Sequence, residues 1–166
     1  MTIKTKHSEE EQKKWWDWFN KEWDKKKSLI SENSMPTNTI KQVIKFKDVS
    51  PEELFDIFMD AKKHGEVIGA KVTMGGKTGD SFTLFNGVVR GKNLLIVPKR
   101  LTVRAWRGNV WKKDDLDSIE VMAFEEIPGG AQINLGHTVL PEQFEERWDE
   151  LYWQPLREYL KRVGKK

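Results

Sequence analysis

Apolar and polar residues alternate in short runs over most of the chain between residues 40 and 139. A period of two places every second side chain on one face of a β-strand, so each run predicts a strand. The pair Asn86-Gly87 separates two of these runs and indicates a tight turn, because such turns need residues that accept a positive φ. The predicted strands are residues 40–47, 67–74, 80–86, 87–97, 101–108, 117–127 and 131–139. Together they predict a curved antiparallel sheet.

Two short helices are predicted between the first strand and the rest of the sheet. Ser50 suits a helix N-cap, Pro51 suits the first helical position, and Glu53 completes a capping box with Ser50. The apolar residues that follow at helical spacing supply the inner face of this helix. A second short helix or turn is predicted over residues 61–65.

A long C-terminal helix is predicted because apolar residues recur at helical spacing from Pro141 to about Arg162. At about 1.5 Å per residue it is roughly 33 Å long, enough to cross a small sheet. Pro155 is expected to kink it. The order of one strand, two short helices, six strands and a long helix predicts an α+β domain in which a curved sheet grips a helix.

Residues 1–38 are predicted to form a separate lysine-rich helical leader and linker, and residues 39–163 the domain itself. Aromatic residues at helical spacing predict an amphipathic helix from about Glu9 to Ile30. Two interpretations are open: the helix packs its indoles on the domain's own surface, or it binds a partner, since exposed tryptophans form binding hot spots. The aromatic residues are Trp15, Trp16, Trp18, Phe19 and Trp23.

Composition and charge narrow the function classes. The chain has 166 residues, and 29 Lys and Arg against 26 Asp and Glu give a formal net charge of +3. Basic and acidic residues are interleaved, unlike the basic stripe of a nucleic-acid binder, so no nucleic-acid partner is expected. Cysteine is absent, which excludes a disulfide framework and a thiol nucleophile. Without a signal peptide or an apolar run of membrane-spanning length, the cytosol is expected and a membrane partner is not.

Catalytic motifs are also missing from the sequence. There is no nucleophile elbow, no phosphate loop and no metal-ligand spacing of histidines, so no enzyme activity, cofactor or metal site is expected. Gly75-Gly76 is interpreted as a turn and not as part of a dinucleotide fingerprint. His7 and His64 are interpreted as solvent-exposed.

Seven short motifs occur in a defined order along the chain. They are Met74-Gly75-Gly76, Phe82-Thr83-Leu84-Phe85-Asn86-Gly87, Gly91-Lys92-Asn93-Leu94, Ala105-Trp106-Arg107, Pro128-Gly129-Gly130, Leu135-Gly136-His137 and Leu151-Tyr152-Trp153-Gln154-Pro155-Leu156. The ordered set resembles the domain named for the activator of the heat-shock protein 90 ATPase, in the START/birch-pollen-allergen superfamily. The resemblance covers residues 40–162, and the insertion Thr78-Gly79-Asp80 departs from the family pattern. It implies a helix-grip fold and a heat-shock protein 90-type chaperone as partner.

Strand alternation, with the bulky residues that share their faces, assigns three titratable residues, Arg104, Glu120 and His137, to the concave face of the sheet. For the strands of Arg104 and Glu120 the opposite assignment stays open, because it buries an aliphatic set instead: Val103, Ala105, Ile119, Val121 and Ala123. Buried charges must pair or be hydrated. One interpretation is a structural Arg–Glu pair with His137 hydrogen-bonded to the backbone, and the other is the polar floor of a small-ligand pocket. The predicted cavity-lining residues are Arg104, Trp106, Glu120, Met122, Phe124, His137, Trp148 and Tyr152.

Two function classes remain. The first is a co-chaperone-like module that binds heat-shock protein 90 and stimulates its ATPase by protein contact, with basic side chains that meet an acidic partner. The second is a carrier or sensor of a small apolar ligand held between sheet and helix. A filled interior with an exposed tryptophan patch favours the first class, and open volume favours the second. The predicted partner-binding residues are Lys92, Lys99, Arg100, Arg107, Trp15 and Trp18.

Overall fold

The computed structural model describes residues 9–33 and 37–164. The chain divides into two compact units, Met1–Met35 and Pro36–Lys166. In the described part of the first unit an α-helix, α1, spans Glu9–Asn33, as the spacing of its aromatic residues predicts. Its first turn holds three glutamates, whose charge is favourable at the positive end of the helix dipole.

The second unit is built on an antiparallel sheet. Its strands are β1 (Thr37–Lys47), β2 (Thr73–Met74), β3 (Ser81–Leu84), β4 (Val89–Val97), β5 (Leu101–Gly108), β6 (Ser118–Ile127) and β7 (Gly130–Pro141). They pair in the order β1-β7-β6-β5-β4-β3-β2, so the first strand lies beside the last. The predicted sheet is therefore confirmed, and Asn86 and Gly87 have the positive φ values that the turn between β3 and β4 needs.

The helices of this unit are α2 (Pro51–Met59), α3 (Ala61–Ile68) and α4 (Gln154–Gly164), the last preceded by a π-helical turn, Asp149–Trp153. The capping box at the start of α2 is confirmed, because Ser50 Oγ accepts from the Glu53 N–H and the Glu53 carboxylate accepts from the Ser50 N–H. The strand predicted over residues 67–74 is wrong except at its end, because only Thr73–Met74 forms a strand. Helix α3 continues to Ile68 and ends at Gly69, whose φ of +66° suits a glycine C-cap.

The C-terminal helix begins at Trp148, so the predicted start at Pro141 is wrong. Pro141 is instead the last residue of β7 and pairs with Thr37. The chain then turns, with the Phe144 N–H donating to the Pro141 carbonyl. The Glu146 carboxylate accepts from the Trp148 N–H at 2.6 Å and so caps the helix. Phe144 matches the helical spacing but lies in this turn.

Pro155 follows a π-helical turn. The Gln154 N–H donates to the Asp149 carbonyl, five residues back. Proline cannot donate to the helix ladder and crowds the preceding turn, and a π-helical turn is a known response to such an interruption. The wider turn buries two adjacent side chains, Tyr152 and Trp153, which are 4% and 3% exposed.

The helices α2, α3 and α4 pack against the concave face of the sheet. Their buried residues share one core with strands β1, β6 and β7. A second cluster under β3, β4 and β5 includes Phe82, Leu84 and Trp106. A curved antiparallel sheet that holds a C-terminal helix is the helix-grip arrangement, so the α+β prediction is confirmed.

Candidate functional site

The floor of the concave face is a buried ion pair. Arg104 on β5 lies opposite Glu120 on β6, and each is 1% exposed. The guanidinium donates to the Glu120 carboxylate through Nε at 3.1 Å and Nη2 at 2.8 Å. It also lies 5.1 Å from the ring centroid of Phe82. The predicted assignment of both residues to the concave face is confirmed, and the pair is satisfied within the protein.

His64 lies inside this core, so its interpretation as a solvent residue is wrong. It is 1% exposed, because α3 turns it towards the C-terminal helix. Its Nδ1 lies 3.0 Å from the Phe58 carbonyl, and its Nε2 lies 3.0 Å from the Tyr152 hydroxyl. A carbonyl only accepts, so Nδ1 carries the proton and Nε2 accepts from the hydroxyl. Burial, aided by the Arg104 charge, lowers the pKa of His64 to about 3, and burial raises the pKa of Tyr152.

His137 is the third predicted titratable residue and is also fully buried. It contacts a side chain and not the backbone: its Nε2 lies 2.8 Å from Ser118 Oγ, which in turn donates to the Trp106 carbonyl at 2.8 Å. Because that hydroxyl proton is used, Nε2 donates to Ser118. Burial and the Arg104 charge lower the pKa of His137 to about 4, so the imidazole is neutral near pH 7.

A pocket of about 510 Å³ opens at one end of the concave face, where the turn after β5 meets the segment after β7. Gly108 lets the Trp111 indole approach closely, since a Cβ at this glycine would lie 2.8 Å from Trp111 Nε1. Asn109, Gln143, Glu145 and Arg147 are polar members of the lining. The apolar side chains that line the pocket are Phe85, Val88, Val89, Trp106, Val110, Trp111, Pro141, Phe144, Trp148, Leu151 and Tyr152.

Three of the eight predicted cavity residues, Trp106, Trp148 and Tyr152, line this pocket. The other five lie in the packed interior beside it, at 4% exposure or less: Arg104, Glu120, Met122, Phe124 and His137. The geometry therefore separates a filled, ion-paired floor from an aromatic pocket at its end. Among the described residues, no group of three or more His, Asp or Glu side chains is arranged to hold a metal ion.

Comparisons with known proteins agree with this architecture. No family model matches the chain. The activator of 90 kDa heat shock protein ATPase homologue of Dictyostelium discoideum is 24% identical over 129 residues, which are 73% of this chain and 34% of that protein. A heat-shock protein 90 activator from Plasmodium falciparum superposes with a TM-score of 0.55 at 23% identity, covering 79% of this chain and 86% of its own. The domain is similar to that of the activators of heat-shock protein 90.

The same fold also occurs in a protein that is not named as a chaperone activator. Ara h 8.0201 superposes with a TM-score of 0.53 at 17% identity, covering 78% of this chain and 92% of its own. At such identities the superposition shows the helix-grip fold alone. The chain also spans only about a third, 34%, of the length of the curated Dictyostelium relative.

The predicted basic residues of this activator-like domain do not form one patch. Lys99 pairs with Asp56 of α2, whereas Lys92 is exposed on β4 opposite Ala105. The five residues from Lys92 to the end of β4 at Val97 rise roughly 16 Å, at about 3.3 Å each, and Lys99 lies in the turn beyond that end. Arg100, in the same turn as Lys99, is exposed.

Arg107 holds the β5–β6 loop in place. Its guanidinium donates to the carbonyls of Lys112 and Asp115 at 2.7 Å each and to the Asp117 carboxylate at 3.1 Å. Asp115 in turn accepts from the Lys112 N–H at 2.7 Å. These bonds cross-link β5 to the loop that carries Trp111, which forms part of the pocket wall.

The predicted partner-binding tryptophans lie on α1 and are exposed. Trp15 and Trp18 are 52% and 59% exposed. Phe19 stacks between Trp15 and Trp23, with centroid distances of 5.3 and 6.2 Å. The apolar stripe of α1 is therefore an ordered aromatic row within the helix itself.

Sequence reasoning missed Trp153, Trp111 and Phe144. Trp153 is 3% exposed and donates from Nε1 to Gln42 of β1 at 2.8 Å. The spacing of a regular helix gave no reason to choose it, because the π-helical turn is what places it inside. Trp111 and Phe144 come together in the pocket wall, 6.4 Å between centroids, from loops 33 positions apart in sequence.

Within residues 9–33 and 37–164, no helix is long and apolar enough to cross a membrane.

Proposed function

We propose that this protein is a co-chaperone-like module that binds a heat-shock protein 90-type chaperone and stimulates its ATPase by protein contact. The observation that carries the proposal is the similarity of the whole domain to proteins named as activators of that ATPase, over 73% and 79% of this chain. The filled interior around the Arg104–Glu120 pair and the exposed tryptophans of α1 support it. No catalytic group of its own is needed.

The proposed mechanism is differential binding. A protein that binds one chaperone conformation more tightly than another shifts the equilibrium between them by the ratio of the two affinities. A tenfold ratio corresponds to about 1.4 kcal/mol. The module then accelerates ATP hydrolysis by raising the population of the conformation that hydrolyses ATP.

Binding is tested by isothermal titration of purified heat-shock protein 90 with the full chain at low and at physiological salt. We expect saturable binding that weakens with salt, because exposed cations act on a charged partner through a screened potential. Reversal of two exposed cations, Lys92→Glu with Arg100→Glu, should weaken binding about tenfold. Lys62→Glu with Lys63→Glu on α3 makes the same change of charge elsewhere and serves as the matched control. If the full chain does not bind at low salt or at physiological salt, the proposal is contradicted.

A second candidate function is a carrier of a small apolar ligand, and the aromatic pocket of about 510 Å³ is the observation that favours it. Volumes of this size and apolar walls are typical of small-molecule sites. Two of its lining residues, Trp106 and Trp148, bury their indole N–H groups, so they present apolar ring surface to the pocket.

The carrier function is tested with the dye 8-anilinonaphthalene-1-sulfonate and the full chain. If the pocket binds apolar ligands, dye fluorescence should rise on binding, and Val88→Phe, which adds a ring at the pocket wall, should reduce the rise. Val163→Phe on α4 is the matched control, because Val163 is 38% exposed and lies outside the pocket. Equal dye binding by both variants contradicts a carrier function for this pocket.

A further inference from the structure

The outer, convex face of the sheet is unusually apolar. Residues opposite one another in the ladder point to the same face, so the register gives rows across the strands. One row runs Leu95, Val103, Val121, Gly136 and Lys41, and the next runs Val97, Leu101, Ala123, Asn134 and Val43. A third runs Lys92, Ala105, Ile119 and Thr138. In the first two rows every side chain from β4 through β6 is aliphatic, and in the third row the positions on β5 and β6, Ala105 and Ile119, are aliphatic.

This apolar strip has solvent-exposed members. Val43 is 62% exposed, Leu95 44% and Val97 37%, and the central residues on β5 and β6 are half-buried by one another. The helices α2, α3 and α4 pack on the opposite face. An outer sheet face is normally polar, and a contiguous exposed apolar surface marks an interaction site.

Positive charges stand on both sides of the strip. Lys41 and Lys45 lie on β1, and Arg90 and Lys92 lie on β4. Within residues 37–164, none of these four side chains forms an ion pair or a side-chain hydrogen bond. The carboxylate of Glu125, opposite Gln132 on the same face, accepts from the Gln132 amide at 2.9 Å. The strip is therefore an apolar surface with unpaired cations at its two sides.

We propose that this face docks an acidic amphipathic segment of a partner protein, with apolar residues on the strip and carboxylates against the flanking cations. Charge complementarity supports this occupant, because desolvated apolar area gives affinity and opposite rim charges give specificity. A second copy of this chain would bring like charges together on both sides. The proposal concerns the surface and its ligand chemistry, and it holds whether or not the partner is the chaperone proposed above.

The dimensions of the face suit a helix. Five strands at about 4.8 Å spacing make it roughly 19 Å wide. A helix of about 13 residues, rising about 1.5 Å per residue, crosses it. Gly136 and Ala123, near the middle of β7 and β6, leave a shallow region between larger neighbours. Apolar residues spaced three and four apart along such a helix would lie along the strip.

The proposal is tested with two synthetic helical peptides of about 18 residues, a length that holds a helix in water. Both carry leucines at helical spacing; one has glutamates on either side of the leucines, and the other has lysines. Binding is followed by ¹H–¹⁵N NMR of the full chain. The proposal predicts that the glutamate peptide binds, that the lysine peptide does not, and that the shifted amides lie on β1 and β4–β7 at outward-facing residues.

Two substitutions localise the site. Val43→Glu places a charge of the peptide's own sign on the strip, at an exposed edge-strand position where charged residues are common, and Lys41→Glu with Lys92→Glu reverses one cation on each side. Each variant should weaken binding of the glutamate peptide at least about tenfold, while Val110→Glu, at an exposed valine in the β5–β6 loop, should not. Circular dichroism melting curves establish that all variants fold.

Three results would overturn the proposal. The first is equal binding or no binding of the two peptides to the folded wild-type chain. The second is a set of shifted amides outside the outer face. The third is a wild-type dimer, seen by analytical ultracentrifugation, that Val43→Glu converts to monomer, because a second copy then occupies the strip. Failure of the chain to bind heat-shock protein 90 while the glutamate peptide binds contradicts only the proposed function.

Discussion

Arg104 and Glu120 are the residues whose predicted placement matters most, and their energetics can be measured. Removing one partner leaves a buried uncompensated charge, so Arg104→Met should cost about 3–5 kcal/mol of unfolding free energy. The double variant Arg104→Met with Glu120→Leu replaces both charges by apolar side chains and should recover most of that loss. Urea denaturation of the two variants measures the difference. A double variant as unstable as the single one would mean that the pair contributes more than charge neutralisation.

The buried histidines predict how stability depends on pH. Burial lowers the pKa of His64 to about 3 and that of His137 to about 4, from an ordinary value of 6.5. Between these values the unfolded chain binds protons that the folded chain does not. Stability is therefore full above pH 6.5 and falls as the pH decreases, by about 1.4 kcal/mol per pH unit for each histidine.

Urea denaturation at several values between pH 6.5 and about 5, above the ordinary range of carboxylates, checks this dependence. The slope should be about halved in His137→Gln, which removes one of the two groups and keeps a side chain able to donate to Ser118. A slope that is the same in the variant and the wild type would show that His137 is protonated in the folded chain.

At the scale of elements, the π-helical turn decides which aromatic residues enter the core. Trp148 and Trp153 are 5% and 3% exposed and stack 5.5 Å apart. Trp148→Ala and Trp153→Ala should each cost about 3–5 kcal/mol, as truncation of a buried aromatic does. Glu158→Ala, on the solvent side of α4, should cost less than about 0.5 kcal/mol. Thermal and urea unfolding measure all three, and a small cost at Trp153 would show that the C-terminal helix is a regular α-helix there.

Strands were easier to predict than the segments between them. The bulky side chains of β7 indicate its concave face and so place His137. On β5 and β6 aliphatic residues occupy the other face, so the sequence left the choice open. The structure buries Arg104 and Glu120, as the bulky residues beside them favoured. Phe144 matches helical spacing but is used in a turn, because Pro141 pairs in the sheet. His64 has no local signal, since its burial depends on the hydroxyl of Tyr152, 88 residues away.

At the scale of the whole molecule, the fold follows from pattern and order, whereas the pocket does not. Its walls join Gly108 at the end of β5 and Trp111 in the turn that follows to Phe144 in the segment after β7, and only the folded chain brings them together. The apolar character of the outer face was also not predicted. An aliphatic residue in an alternating pattern is normally taken as buried, and the pattern does not show whether it faces the core or the outside. The domain combines a filled interior, an aromatic pocket at one end and an apolar outer strip with basic sides.

The central claim is that this protein stimulates a heat-shock protein 90-type chaperone by contact. The most direct measurement is the steady-state ATPase rate of purified heat-shock protein 90 as the full chain is added, with a specific inhibitor of the chaperone as the blank. The account predicts a rate that rises and saturates near stoichiometric binding, and that rises less with Lys92→Glu/Arg100→Glu than with Lys62→Glu/Lys63→Glu. A rate that stays at the basal value when the chaperone is saturated with this chain would contradict it.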